Sequence, residues 1–590
     1  MISNLRSGKL PAFIRLWLYL FVGLFVKGFR TLNPSTPQPL NLKTLILTLT
    51  LTLTLTSAHA QSISTGDPLE LYLRMAAQSY TGATTNSWTL RPVALDDSLR
   101  HSLQIQSHPW QDHPFFRESD SRNSLMEGME IYAPRFFMSH NNNFAVGQND
   151  GAVWQGVGWN YAFTAGFSYE YRFLKVALRP LFLHSENNFF DISRVPKQPG
   201  LTRFSMPLTW IDFPQRFGLD PITRFDPGDS YIRFQHSGWI AGFSNERIWA
   251  GPALHNALIL SDNAPGFLHF FAGTEKPLVT RVGSIESRFF WGKLEQSRYF
   301  SDELPERQRM ITGFTVAFSP SRIPGLTVGM NSVRYKYVDS NFRASDLLLS
   351  LRRNLVRPEE MSEVDSATYF SGMESYFFRW AGAASGFEVY GEWGRNDFRR
   401  PWRDFFSEPE LNRAYTLGLL KRFQLPGNNL LLLNMELTTL ENSSISSQYR
   451  ENNTWYSDEV IIQGYTHRGQ AIGAGIGPGS STQYVKLSYY NRWGMAGASV
   501  GRVVWHNDRL YNNWEYFRDR QFMDSAVFRA LHEVEIRYGL YALIFLPMNL
   551  ELQADFRFSA VENRWQRYLK DEKNTHMMFT LRYQLPGWNR

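Results

Sequence analysis

Not one cysteine occurs in the 590 residues. For an exported chain, that excludes disulfide frameworks, thiolate metal sites and cysteine nucleophiles together. Long apolar runs are also missing beyond the first sixty residues. The longest, Leu540 to Leu546, stops at Pro547, well short of the roughly 18 residues that a spanning helix needs. A surplus of one charge is missing too. The formal +7 belongs to the N-terminus, where Arg6, Lys9, Arg15, Lys27, Arg30 and Lys43 meet no acid; the rest holds 55 bases against 54 acids. Nucleic acid is therefore not an expected partner. No Pro/Ser linker, composition break or fixed repeat divides the chain.

The first sixty residues hold a leader. Leu42 to Gln61 reads LKTLILTLTLTLTLTSAHAQ: a positive Lys43, an apolar-to-neutral run from Thr44 to Thr56, and the A-x-A signature Ala58-His59-Ala60. This is a secretory signal for the Sec pathway, removed after Ala60. The earlier run Phe13 to Val26 is short and carries Arg15, so it does not support a spanning helix. Translation from Met1 and a true start just after Asn41 both fit.

Beyond the leader the chain is rich in aromatics, at 15% of residues, and in two-residue alternation. In Leu550 to Ser559 (LELQADFRFS), Leu552, Ala554, Phe556 and Phe558 share one face, and Glu551, Gln553, Asp555 and Arg557 the other. Phe387, Val389 and Trp393 oppose Glu388, Tyr390 and Glu392. Leu433, Met435 and Leu437 oppose Asn434, Glu436 and Thr438, and Met577, Phe579, Leu581, Tyr583 and Leu585 oppose Met578, Thr580, Arg582 and Gln584. Between Ile131 and Leu585 there are about 16 to 18 such candidates of roughly eight to twelve residues. Tight Pro-marked turns (Ser319–Gly325, Gln424–Gly427, Leu546–Asn549) contrast with long polar loops such as Asp339–Ser366 and Glu441–Thr454. A soluble sandwich also alternates. The leader, the absence of cysteine, the aromatic-ended apolar faces and the unequal connections favour an all-β transmembrane barrel of the outer membrane.

Residues 1–60 thus form the leader, 61–127 an N-terminal helical or irregular periplasmic or plug segment, and 128–590 the barrel. In the middle segment Asp67-Pro68-Leu69-Glu70 is a helix start, with an acid at the cap, proline at the first helical position and Glu three residues after the cap.

Motifs for chemistry are weak. His532-Glu533 lacks the second histidine of H-E-x-x-H. His101, His108 and His113 lie in a loop-rich stretch with no fixed geometry, and Gly473 to Gly479 has the glycines of a phosphate loop but not its Lys-Ser/Thr ending. No catalytic residue, metal or cofactor is assigned. Three stretches are instead dense in Trp, Asn, Asp, Arg and Gly: 148–161, 214–234 and 244–267. Aromatic planes stack on the C–H faces of sugars, while amides, carboxylates and guanidinium groups bond hydroxyl pairs. Asp150, Trp154, Trp159, Arg216, Asp226, Asn245, Trp249 and Asn263 are the candidate polysaccharide contacts.

Within these stretches NDGAVWQGVGWN, PQRFG, DPGDSYIRF and WAGPALHNALILSDNAPGF, with the later IGPGSSTQ, resemble the capsule assembly Wzi family of outer-membrane proteins over roughly residues 65 to 585. The resemblance implies an 18-stranded barrel, an N-terminal periplasmic helical portion that blocks the lumen, and a lectin-like role holding capsular polysaccharide at the cell surface, without enzymatic activity. The ending Leu585-Pro-Gly-Trp588-Asn-Arg590 displaces the terminal aromatic of such barrels by two positions. The expected protein is a monomer in outer-membrane lipid that binds capsular or extracellular polysaccharide. A diffusion porin or polysaccharide export channel is the alternative.

Overall fold

The computed structural model describes residues 65–77, 86–93, 103, 108–111, 113, 128–338, 344–351, 369–382, 385–396, 410, 412–442, 454–513, 517 and 531–583. The expected leader and cleavage site, His101, and the C-terminal residues from 584 lie outside these.

Eighteen antiparallel staves close into one barrel. They are β1 (Met129–Asn141), β2 (Gly158–Tyr171), β3 (Leu174–Leu178 and Leu181–Ser185), β4 (Ile222–Asp226 and Tyr231–His236), β5 (Trp239–Ser244) and β6 (His269–Thr274 and Leu278–Val279). Next come β7 (Gly283–Leu294), β8 (Arg309–Pro320), β9 (Leu326–Tyr337), β10 (Ser371–Gly382), β11 (Phe387–Asn396) and β12 (Arg413–Gln424). The circuit ends with β13 (Leu430–Thr439), β14 (Ser481–Asn491), β15 (Gly494–Trp505), β16 (Glu533–Leu546), β17 (Leu550–Glu562) and β18 (Glu572–Tyr583). β1 pairs with β2 on one side and with β18 on the other, closing the ring. Closure removes every free edge, which is the condition for strands to sit in hydrocarbon.

The alternation sets what each wall faces. On β17, Phe556 is 43% exposed on the outside, whereas Glu551 is 6% exposed inside. Tyr376, Phe378 and Trp380 of β10, Leu417 of β12, Met435 and Leu437 of β13 and Leu581 of β18 are likewise outward and exposed. Glu388, Glu392, Glu436, Asn331, Ser375 and Thr416 are inward and buried. At one end the strands are joined by tight turns; at the other, loops such as 186–221, 245–268 and 440–480 are long.

Two bodies of chain pack inside. From the short-turn end comes α1 (Pro68–Ala77). Its start is built as the sequence reads: Asp67 Oδ1 accepts from Leu69 N at 3.0 Å, and Glu70 Oε2 accepts from Gly66 N at 2.8 Å. Tyr72, Leu73, Met75, Trp88 and Trp110 are buried in one cluster with the inward Tyr390, Leu420, Leu432, Tyr490 and Tyr541. Arg74 donates to Glu388 at 2.5 Å, and Arg379 donates to the other carboxylate oxygen at 2.7 Å. Arg582 pairs with Asp67, and His113 with Glu551 at 2.8 Å. From the long-loop end come segments 245–268 and 454–480. They bury Leu258, Ile259, Leu260, Tyr456, Tyr465, Ile472 and Ala474 against Ile311, Val333 and Tyr335 of the wall.

Candidate cleft at the long-loop end

The inward acids of β11 and β13 hang the 245–268 segment in the lumen. Glu436 accepts backbone N–H bonds from Leu254 (2.8 Å), His255 (3.1 Å) and Asn256 (2.8 Å), and a fourth bond from Tyr390 Oη (2.8 Å). Glu392 accepts from Leu258 N (3.1 Å), Ser375 Oγ (2.6 Å) and Asn331 Nδ2 (3.2 Å). A carboxylate offers about four acceptor sites, so Glu436 satisfies a bare stretch of backbone that water would otherwise serve. The 454–480 segment then closes over the first. Tyr456 Oη donates to Leu258 O (2.7 Å), Tyr465 Oη to Ile259 O (3.0 Å) and Ser261 Oγ to Gly473 O (2.6 Å). Position 473 requires glycine, because a Cβ there would lie 2.4 Å from Leu258 O. The glycine run that resembles a phosphate loop is thus a close backbone crossing.

Above this packing lies a cleft of about 170 Å³, lined by Phe144, Trp154, Phe190, Phe213, Trp505 and Trp565, with Gln148, Gln215, Asn263, Gln470, Arg537 and Arg564 among them. Arg537 chelates Glu535 (2.8 and 3.0 Å), donates to Gln148 Oε1 (2.7 Å) and stacks over Trp505 at 5.2 Å. Trp505 Nε1 donates to the same Glu535 at 2.8 Å. Arg564 covers Phe144 at 4.0 Å. Rigid aromatic planes beside oriented amides and guanidinium groups suit a polyhydroxylated ring.

A second cavity, of about 230 Å³, lies among the inner wall, the N-terminal segment and the long loops, lined by Arg135, Arg179, Arg247, Asp150, Asp226 and Asp229 among others. Arg247 grips Asp229 through Nε (3.1 Å) and Nη2 (2.9 Å). Burial lifts Asp150 to about 6.

The eight candidate contacts are scattered across these features. Trp154 and Asn263 line the cleft; Trp154 Nε1 donates to Asn187 Oδ1 (3.1 Å), and Asn263 Nδ2 to Ala471 O (2.9 Å). Asp150 and Asp226 line the second cavity, and Asp226 also accepts from Arg468 at 3.0 Å. Arg216 is buried, donating to Asn187 O at 2.8 Å, and Asn245 Nδ2 donates to Gly228 O at 3.2 Å. Trp249 is buried beneath the Arg91 guanidinium, 4.3 Å from its ring centroid. Trp159 stands apart, exposed on the outer wall beside His140 and Tyr161. Sequence reasoning missed Phe144, Trp505, Arg537, Arg564 and Trp565. For Phe144, Trp505 and Trp565 the one available signal is an aromatic at a strand end or in a short turn, and Phe144 stands more than three hundred residues from the others.

His108 and His113 have separate partners, Tyr72 Oη at 2.7 Å and Glu551, and among the described residues no group of three or more His, Asp or Glu side chains has metal-binding geometry. Gly497-Ala-Ser-Val-Gly501 spells the G-x-S-x-G of esterases, but it runs through the middle of β15 instead of a strand-to-helix elbow.

No curated protein sequence matches this chain. Among solved structures, Escherichia coli Wzi, described as an outer membrane protein involved in group 1 capsule assembly and a carbohydrate binding β-barrel, is similar over 89% of this chain and 100% of its own. Its identity is 11% and its TM-score 0.55. Pseudomonas putida OprB (10% identity, 77% of this chain, 94% of its own, TM-score 0.37) and a BenF-like porin from Pseudomonas fluorescens (9%, 78%, 100%, 0.38) overlap too loosely to bear on function. The family model for capsule assembly protein Wzi matches residues 139–492. That match covers more than half of the chain, from β1 to the end of β14, so the protein belongs to the Wzi capsule assembly family.

Proposed function

We propose that this barrel sits in the outer membrane and holds polysaccharide at the cell surface through its long-loop cleft, without catalysing a reaction. The observation that carries this reading is the cleft itself, where Trp154, Trp505 and Trp565 meet Gln148, Asn263, Gln470 and Arg537 at the loop end. Family membership and the carbohydrate binding of the similar E. coli barrel support it. Asp150, Arg216, Asp226, Asn245 and Trp249 act from below, by holding the loops that form the cleft. The leader directs Sec export and is removed after Ala60, and the barrel works as a monomer. Residues 61–127 close the periplasmic end, as the burial of α1 and Trp110 against the inner wall supports.

Each sugar unit makes few contacts, so retention grows by repetition along a polymer at high effective concentration. Purified protein should retain long capsule chains and release short oligosaccharides at equal sugar-unit concentration. Large steady currents in planar bilayers, with no retention of acidic or neutral polysaccharide, would overturn this reading in favour of a pore.

A further inference from the structure

A wall that faces lipid is a costly place for cations, yet β9 carries two on its outer face. Its odd-numbered residues point inward: Asn331 reaches Glu392 at 3.2 Å, and the Tyr335 ring lies 5.6 Å from that of Tyr465. Its even-numbered residues point outward, and Val328 among them is 39% exposed. Arg334 and Lys336 therefore stand on the outer wall, but both are buried. Arg334 pairs with the outward Glu374 of β10. The 3-10 helix Ala344–Leu351, from the loop after β9, lies back against the outside of β8 and β9. Lys336 Nζ donates to Asp346 Oδ2 at 3.1 Å, Ser332 Oγ to Ser350 O at 3.1 Å, and the outward Trp291 of β7 gives its Nε1–H to Leu347 O at 2.6 Å. Leu349 is buried beneath, while Leu347, Leu348 and Leu351 are left 45%, 58% and 62% exposed.

The depth of this contact decides what those leucines meet. Ser332 lies five residues before the end of β9, about 17 Å along the strand at ~3.3 Å per residue. At a tilt of about 40° that is roughly 13 Å of depth, comparable to half of an apolar band about 25 Å tall. An external loop at that level is beside acyl chains, not in bulk water. Further along the same outer wall Val328, Tyr376 and Phe378 are exposed apolar and aromatic residues too.

We infer that Ala344–Leu351 is a lipid-seated anchor of the long-loop-side leaflet: its backbone and Asp346 cap the polar groups of the outer wall, and Leu347, Leu348 and Leu351 insert among acyl chains. This rests on the barrel spanning a membrane, as proposed above. The lack of native cysteine makes the test direct. Leu348→Cys, Phe556→Cys on the mid-wall and Asp302→Cys on the exposed loop after β7 are each labelled with an environment-sensitive fluorophore. The intact protein is then folded into phosphatidylcholine vesicles carrying nitroxide-labelled acyl chains. The Leu348 label should be quenched by the nitroxide lipid at least half as strongly as the Phe556 label and be shielded from aqueous iodide, with Asp302 showing the reverse. If the Leu348 label follows Asp302 while Phe556 remains in lipid, the anchor is overturned and the membrane reading stands. If the Leu348 and Phe556 labels both behave as Asp302, the membrane reading itself fails. If unlabelled Leu348→Cys oxidises to a disulfide-linked dimer and the labelled variant is quenched neither by nitroxide lipid nor by iodide, a second copy is the occupant, which also overturns the anchor.

Discussion

At the residue scale, single inward side chains act as fasteners for backbone that has left the sheet. Glu436→Ala would leave three amides and the Tyr390 hydroxyl without their acceptor. Hydrogen bonds to a charged group contribute about 1.5–3 kcal/mol each. Allowing for water that enters, we expect a loss of about 3 kcal/mol or more, read by urea unfolding in lipid vesicles. Trp505 is a different kind of residue, because its ring faces the cleft. Trp505→Ala should weaken retention of long polysaccharide about tenfold, on the order of 1.4 kcal/mol, in protein that still folds into the barrel. Equal retention by the variant would remove Trp505 from the site. Asp508 offers a pH test outside the wall. Burial raises its carboxyl to about 7 from 3.8, and the hydrogen bond from the Asn442 amide offsets this only in part. A carboxyl raised in the folded state contributes stability that is fully present below its unfolded value and lost as pH rises through the folded one. Loop stability should therefore decline between about pH 4 and pH 7, and Asp508→Asn should flatten that slope in a pH series of thermal melts.

At the scale of elements, β17 and α1 make complementary demands. β17 must show lipid one face and the lumen the other, so Phe556→Arg should cost about 2–4 kcal/mol in a lipid-bilayer unfolding titration and Asp555→Arg much less. Equal losses would mean that the register is wrong. α1 is short, and its stability comes from packing and from the Arg74–Glu388–Arg379 arrangement, in which one carboxylate holds two guanidinium groups. Arg74→Ala keeps Arg379 as a partner for Glu388. We expect a loss nearer 2 than the 3–5 kcal/mol of a fully orphaned buried charge, measured as a lower melting temperature of the folded barrel.

The whole molecule is closed twice, by α1 and its neighbours at the short-turn end and by segments 245–268 and 454–480 at the long-loop end. Each closure has fasteners of its own, Arg582–Asp67 and His113–Glu551 for one and Glu436 and Glu392 for the other, and the two meet where Leu90–Arg91 pairs with Trp249–Ala250 and where Arg74 and Arg91 donate to Pro252 O (2.8 Å) and Ala253 O (2.6 Å). Because Glu436 and Glu392 still tie the 245–268 segment to the wall once residues 61–118 are deleted, that deletion alone should give little current in planar bilayers, and adding Glu436→Ala should raise it sharply. Large conductance from the deletion alone would show that the inward loops do not seal the lumen. Such a plan suits a surface holder of polymer better than a conduit, since a packed lumen supplies rigid footing for the cleft.

The alternation of Leu552 and Phe556 with Glu551 and Asp555, repeated around the chain, was enough to read strands and their facing, because a period of two needs no partner to be read; the barrel class needed the leader, the aromatic-ended faces and the unequal connections beside it. The helix start at Asp67 was legible for the same reason: capping is local, and Asp67, Pro68 and Glu70 are adjacent. The destination of WAGPALHNALILSDNAPGF was not legible. Its alanines and leucines resemble a strand or loop until Glu436 and Glu392, more than a hundred residues away, draw it into the lumen. The cleft was hidden more completely, because Phe144, Trp154, Asn263, Trp505 and Trp565 meet only once the ring closes β1 against β18. Facing and capping are near-neighbour physics and are written in consecutive residues; inward loops and a cleft shared among distant loops depend on closure, which the order of residues alone does not reveal.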